Sequence, residues 1–260
     1  MKKIFRTVLM SLLNGRTITV MAGPLTGLKL RLNNLIKLRN YFSPYEPDKQ
    51  KAFSMFLQNQ SVFFDIGANI GLHSYYVSKT HPEVKVIAFE PLPINASYIR
   101  EAIARNNLDK IELVEEAISS SVGLSFFDER DNNSKGMLSK KESHLKVKTN
   151  TLDEYVFSTG VFPDVVKIDV EGAKGDVLEG ASKLIKMRPP VFIIELHNPE
   201  QDTRVAALLI KQNYSIKRLN DDPHCGQNTL LEIKSKHTSW PDRDGVWGNI
   251  VAIPERSSSR

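Results

Sequence analysis

From Val62 onward, short apolar runs alternate with stretches whose apolar residues recur at helical spacing. The runs are "SVFFDI" (61–66), "KVIAFE" (85–90), "IELVEEAI" (111–118), "DVVKIDV" (164–170), "PVFIIEL" (190–196) and "NIVAIP" (249–254). Their length and β-branched content predict buried strands, and the helical stretches between them predict βαβ units and a doubly wound, mostly parallel α/β sheet. "GLSFFDE" and "LKVKTN", flanking the polar "RDNNSKGMLSKKES", predict an inserted hairpin whose loop covers a substrate at the sheet edge. The N-terminal pattern differs. Ile4, Phe5, Val8, Leu9, Leu12 and Leu13 predict a basic amphipathic helix, "TITVMAGPLTGLKLRL" two short strands around a Gly/Pro turn, and "PYEPDKQKAFSMFLQ" a helix starting near Glu46. The division is an N-terminal helix/hairpin extension over 1–60, acting as lid or brace, and one α/β domain over 61–260.

In such a sheet a ligand lies beyond the carboxyl ends of the strands. Those ends are acidic: Asp65, Glu90, Glu116, Asp169 with Glu171 beyond, and Glu195 followed by His197. The first turn reads D-I-G-A-N-I-G, with Asp65 where a dinucleotide-binding G-x-G-x-x-G would begin. A pyrophosphate there would be repelled. A cationic cofactor without phosphate would not be, and S-adenosylmethionine is the common one. Gly67 and Gly71 would let the backbone approach its methionine part, and Glu90 would accept both ribose hydroxyls. Asp65 can instead cap a helix and Glu90 can be a solvated strand end. Together with the glycines they form a moderately specific set.

The 260 residues, 41% of them hydrophobic, suffice for one core, and the net charge of +5 selects no partner. The lone Cys225 excludes an internal disulfide and suits the cytoplasm. Asn14, Gly15 and Arg16 end the N-terminal apolar run before a signal peptide could form, so residues 1–13 are expected to pack on the domain, with peripheral membrane contact the lesser alternative. No N-P-P-Y or D-P-P-Y follows the fourth strand and no aromatic-basic stripe is present, so a nucleic-acid partner is not expected.

"FFDIGANIGLHS", "IAFEPLP", "TLDE" and "VVKIDVEGAKGDVLEGA", in this order between about Tyr41 and Asn220, resemble the FkbM family of S-adenosylmethionine-dependent methyltransferases. The resemblance implies a class I methyltransferase (Rossmann-like) fold with a seven-stranded sheet, "NIVAIP" being its antiparallel closing strand. It implies O-methylation of a hydroxyl on a sugar, glycan or secondary metabolite. It puts Asp65, Gly67, Asn69 and Gly71 in the cofactor loop, Glu90 on the ribose, and Glu116, Ala117 and Ile118 beside adenine. Asp169 and Glu171 would face the junction of methionine and acceptor. Lys174 departs from the family pattern, which would affect only a helix surface.

Methyl transfer to an alcohol is an in-line displacement that needs positioning and a base for the hydroxyl proton. Glu171 and His197 are the candidates for that base, although Glu171 can also serve a helix dipole and His197 can cap a strand. Lys167, in an apolar strand, requires an acidic partner, Asp65 or Glu195. Asp169, Glu171, Glu195 and His197 offer cation ligands but no dense ligand spacing, so no metal is expected. His73 reads as a surface or packing residue, and Trp240 and Trp247 as cover over the core. A nucleic-acid methyltransferase or binder and a dinucleotide-dependent oxidoreductase are the competing readings.

Overall fold

The computed structural model describes residues 15–32, 44–128, 137–139, 145–196, 199–219 and 248–255. The amphipathic segment 1–13, His197, Cys225, Trp240 and Trp247 lie outside them. The elements are β1 (Thr17–Thr19), β2 (Lys29–Arg31), α1 (Pro47–Phe56), β3 (Val62–Ile66), α2 (Leu72–Thr80), β4 (Lys85–Phe89), α3 (Pro93–Asn106), β5 (Ile111–Val114), β6 (Ala117–Ile118), β7 (Gly123–Asp128), β8 (Met137–Ser139), β9 (Leu145–Asn150), α4 (Leu152–Thr159), β10 (Val165–Ile168), α5 (Lys174–Glu179), α6 (Ser182–Met187), β11 (Val191–Leu196), α7 (Pro199–Lys211), β12 (Tyr214–Leu219) and β13 (Gly248–Pro254).

Seven strands form the central sheet in the order β12-β13-β11-β10-β3-β4-β5. β11, β10, β3, β4 and β5 run parallel, whereas β13 is antiparallel to both β11 and β12, as the closing-strand reading of "NIVAIP" requires. Alternate residues of each strand point to opposite faces. Phe64, Ile66, Ile87, Phe89, Val166 and Ile168 pack under Leu152, Val177, Leu184 and Val205 of α4 to α7. Phe63, Val86, Ala88 and Val165 pack on the other face under Phe53, Leu72 and Ile99 of α1 to α3. Burial of each of the larger side chains contributes about 1.5–3 kcal/mol, which explains why these strands read as continuous apolar runs. Val20, Leu30 and Leu32, from the β1–β2 hairpin, belong to the second layer, so the N-terminal extension shares the domain core.

Three segments differ from the sequence reading. "IELVEEAI" is two strands: β5 ends at Val114, and β6 pairs instead with β9 in a separate four-stranded sheet, β6-β9-β7-β8. Consecutive glutamates cause the break, Glu115 turning out to Arg100 while Glu116 accepts a hydrogen bond from Asn150 Nδ2 at 2.9 Å. Within the polar loop of the inserted hairpin, β8 pairs antiparallel with β7. Finally, "YSIKRL" forms the edge strand β12, burying only Tyr214 and Ile216 between polar neighbours, too weak an alternation to stand out.

Candidate active site

The turn after β3 is held from two sides. Gly67 (φ +75°) and Ala68 donate their N–H groups to the Phe89 carbonyl at the end of β4, at 3.1 and 3.0 Å. A Cβ on Gly67 would stand 2.3 Å from the Asp169 carbonyl oxygen beyond β10. Only glycine fits there, on both conformational and steric grounds. Asn69, also at positive φ (54°), donates its N–H to Glu90 Oε2 at 2.7 Å. Glu90 Oε1 accepts from Leu92 N–H (3.0 Å) and Asn95 Nδ2 (3.4 Å). Glu90 is 5% exposed, and burial pushes its pKa up to about 7 against the pull of those hydrogen bonds. Turn and carboxylate are thus one preassembled unit.

Asp65 is completely buried and faces a lysine. Parallel register sets Lys167 of β10 directly beside it, and Lys167 Nζ lies 2.9 Å from Asp65 Oδ1 while Ser74 Oγ donates to Asp65 Oδ2 at 2.7 Å. Both charges are buried, and Nζ also donates to the Gly67 carbonyl at 2.9 Å. Burial alone would raise the Asp65 pKa, but the Lys167 charge outweighs it and holds the carboxyl below its usual range. The repulsion expected between Asp65 and a pyrophosphate therefore has no basis in this structure. The ion pair anticipated for Lys167 instead pins the glycine turn from beneath.

A second lysine escapes the sequence reading. Lys49 of α1 is completely buried, and its ammonium contacts Glu46 Oε2 (2.7 Å), Glu195 Oε2 (2.7 Å) and Asp169 Oδ2 (3.1 Å). Glu46 also bonds His73 Nε2 at 2.8 Å. The result is a ladder of alternating charge from Asp65 through Lys167, Asp169 and Lys49 to Glu195 and Glu46. The carboxylates of Asp169 and Glu195 meet at the Lys49 ammonium. Burial and the neighbouring Asp169 raise the Glu195 pKa, whereas Lys49 and Lys167 overcome burial and hold Asp169 well below its usual range. Of the two carboxyl groups, Glu195 is the one that burial and its neighbour push toward the protonated form. Glu46, despite burial, is lowered to about 2 by His73 and Lys49. The available signal was a lysine one turn before Phe53, on the apolar face of its helix.

Glu46, Asp169 and Glu195 each bring one oxygen within 4.8 Å of the others, a spacing that could hold a metal ion. The cation among them is the Lys49 ammonium. His73 is not at the surface: it is buried against Tyr45 and Phe53, and burial lowers its pKa. Lys174, expected on a helix surface, is also buried, near Asp169, Glu171, Glu195 and Asp202. Glu171 lies half-buried just beyond β10, Ala117 and Ile118 are buried in β6, and His197 lies outside the described residues.

A family model described as the methyltransferase FkbM domain matches residues 65–216, a span that runs from Asp65 through the turn, Glu90 and the acidic strand ends into β12. The chain belongs to the FkbM methyltransferase family. Over 168 residues this FkbM methyltransferase is 32% identical to the hexuronic acid methyltransferase AglP of Haloferax volcanii, a match covering 64% of this chain and 69% of that one. It is 28% identical over 144 residues to the 2-O-methyltransferase NoeI of Sinorhizobium fredii, covering 48% and 58% of the two chains. Methyltransferase FkbM from Methylobacillus flagellatus, a crystal structure, shares the fold with a TM-score of 0.50 and 17% identity over 76% of this chain and 45% of that one. Among the described residues no helix is long and apolar enough to cross a membrane.

Proposed function

We propose that this methyltransferase uses S-adenosylmethionine to methylate an oxygen of a sugar or related small-molecule acceptor. The observation that carries the reading is the side-chain-free turn at Gly67, closed against the Asp169 carbonyl and tied through Asn69 to the buried Glu90. A cofactor whose ribose hydroxyls can donate to the Glu90 carboxylate beside the turn fits that arrangement. Bound there, S-adenosylmethionine would supply an electrophilic methyl group for transfer to the acceptor oxygen, its sulfur keeping the electron pair of the carbon–sulfur bond. Gly67, Asn69 and Gly71 would hold its methionine part, Glu90 its ribose, and Glu116, Ala117 and Ile118 its adenine. Asp65 supports them from below through Lys167. The names of AglP and NoeI, a hexuronic acid methyltransferase and a 2-O-methyltransferase, favour a sugar acceptor and transfer to oxygen. A cytoplasmic location agrees with the single cysteine.

Calorimetric titration with S-adenosylmethionine tests the cofactor site. Glu90→Ala removes an ionised hydrogen-bond acceptor, so the dissociation constant should rise roughly 10- to 150-fold, from a loss of about 1.5–3 kcal/mol. Wild-type binding should weaken as pH falls through about 7, where Glu90 takes up its proton, and Glu90→Ala should lose that dependence. Unchanged affinity in a folded Glu90→Ala protein would remove the residue from the site.

A further inference from the structure

α1 lies outside the family match at residues 65–216, yet it delivers a completely buried lysine to the ends of β10 and β11. Asp169 meets the glycine turn through its carbonyl and Lys49 through its carboxylate. Glu195 therefore stands one residue removed from the turn, sharing the Lys49 ammonium with Asp169 and accepting from it a hydrogen bond of 2.7 Å. The side chains of Asp169 and Glu195 remain 27% and 32% exposed, so an acceptor can reach them, whereas Lys49 cannot be reached. We propose, building on the methyl-transfer reading, that Glu195 takes the acceptor's proton and that Lys49 of the N-terminal extension is the positioning residue that holds it. As the new oxygen–carbon bond forms, the O–H bond breaks and its proton passes to the Glu195 carboxylate, leaving a neutral ether and a neutral carboxyl.

The charges facing Glu195 come from several elements: Glu46 and Tyr45 before α1, Lys49 within it, Asp169 after β10 and Lys174 of α5. Asp169 opposes ionisation of Glu195 and Lys49 favours it. Lys49 thus favours the ionised form of Glu195 that can accept a proton. Glu171 acts instead on Lys174. This assignment gives the extension a catalytic purpose beyond bracing the sheet.

The test combines titration of Glu195, followed by the 13C signal of its side-chain carboxyl, with turnover on methyl glycosides of hexoses and hexuronic acids. Glu195 should titrate above the ordinary carboxylate range in the wild type, higher still in Lys49→Met, and near the wild-type value in Lys49→Arg. Glu195→Gln should lower turnover about 10²- to 10⁴-fold and abolish the acidic limb of the pH–rate profile, with S-adenosylmethionine affinity nearly unchanged. Should Lys49→Met fail to fold, Lys49→Arg and Glu195→Gln still decide. A Glu195 signal in the ordinary range or lower, or full turnover in Glu195→Gln, overturns the proposal and moves the base elsewhere. Loss of cofactor binding by the wild type would instead count against the methyl-transfer reading. If no glycoside is methylated, the titrations alone judge Glu195 and Lys49.

Discussion

Lys167→Met should destabilise the fold by about 3–5 kcal/mol, because it strands the completely buried Asp65 carboxylate without its cation. Urea unfolding at several pH values measures the effect and its sign. In the wild type the Asp65 pKa is lowered, so the pair contributes stability above the ordinary carboxylate pKa of about 4 that is lost as pH falls through the folded value. In the variant, burial without Lys167 raises the Asp65 pKa, so ionising it is most costly at neutral pH. The gap between the two proteins should narrow on acidification. Adding Asp65→Asn should recover much of the loss, since removal of both charges leaves neither one stranded. A loss below about 1 kcal/mol, or one independent of pH, would show that this ion pair does not anchor the turn.

Gly67→Val should abolish S-adenosylmethionine binding and lower the melting temperature. A side chain at φ +75° is strained by about 1–2 kcal/mol, and its Cβ would lie 2.3 Å from a backbone oxygen. That oxygen cannot rotate away like a side-chain tip, and the turn cannot retreat while Gly67 and Ala68 are bonded to Phe89. Gly160→Ala supplies the comparison, because Gly160 has φ +70° and an added methyl there would meet nothing within 4 Å. It should show the conformational cost alone and bind cofactor normally. Wild-type affinity and stability in Gly67→Val would refute the cradle.

The parallel strands were legible because each is buried on both faces, and the glycine turn because its spacing is local. Asp65 and Lys167 both stand out in the sequence, yet only register could show that they neutralise each other across adjacent strands. The cluster at Lys49 was harder to see. Glu46 and Lys49 are separated from Asp169 and Glu195 by more than a hundred residues, and a lysine among apolar helix positions reads as solvated unless its partners are known. β12 was lost for a related reason, since Lys217 and Arg218 mask the buried Tyr214 and Ile216. His73 could be read only as a surface or packing residue because its partner, Glu46, comes from a different element.

The central claim is transfer of a methyl group from S-adenosylmethionine to an acceptor oxygen. Incubation of the wild-type protein with S-adenosylmethionine carrying a 13C-labelled methyl and the methyl glycosides of hexoses and hexuronic acids tests it most directly. Carbon NMR of the products distinguishes methyl bound to oxygen from methyl bound to nitrogen or carbon. The account predicts a new O-methyl signal, formed in step with S-adenosylhomocysteine and absent with Gly67→Val. A labelled methyl found on nitrogen or carbon, or binding of NADH in place of S-adenosylmethionine, would contradict it.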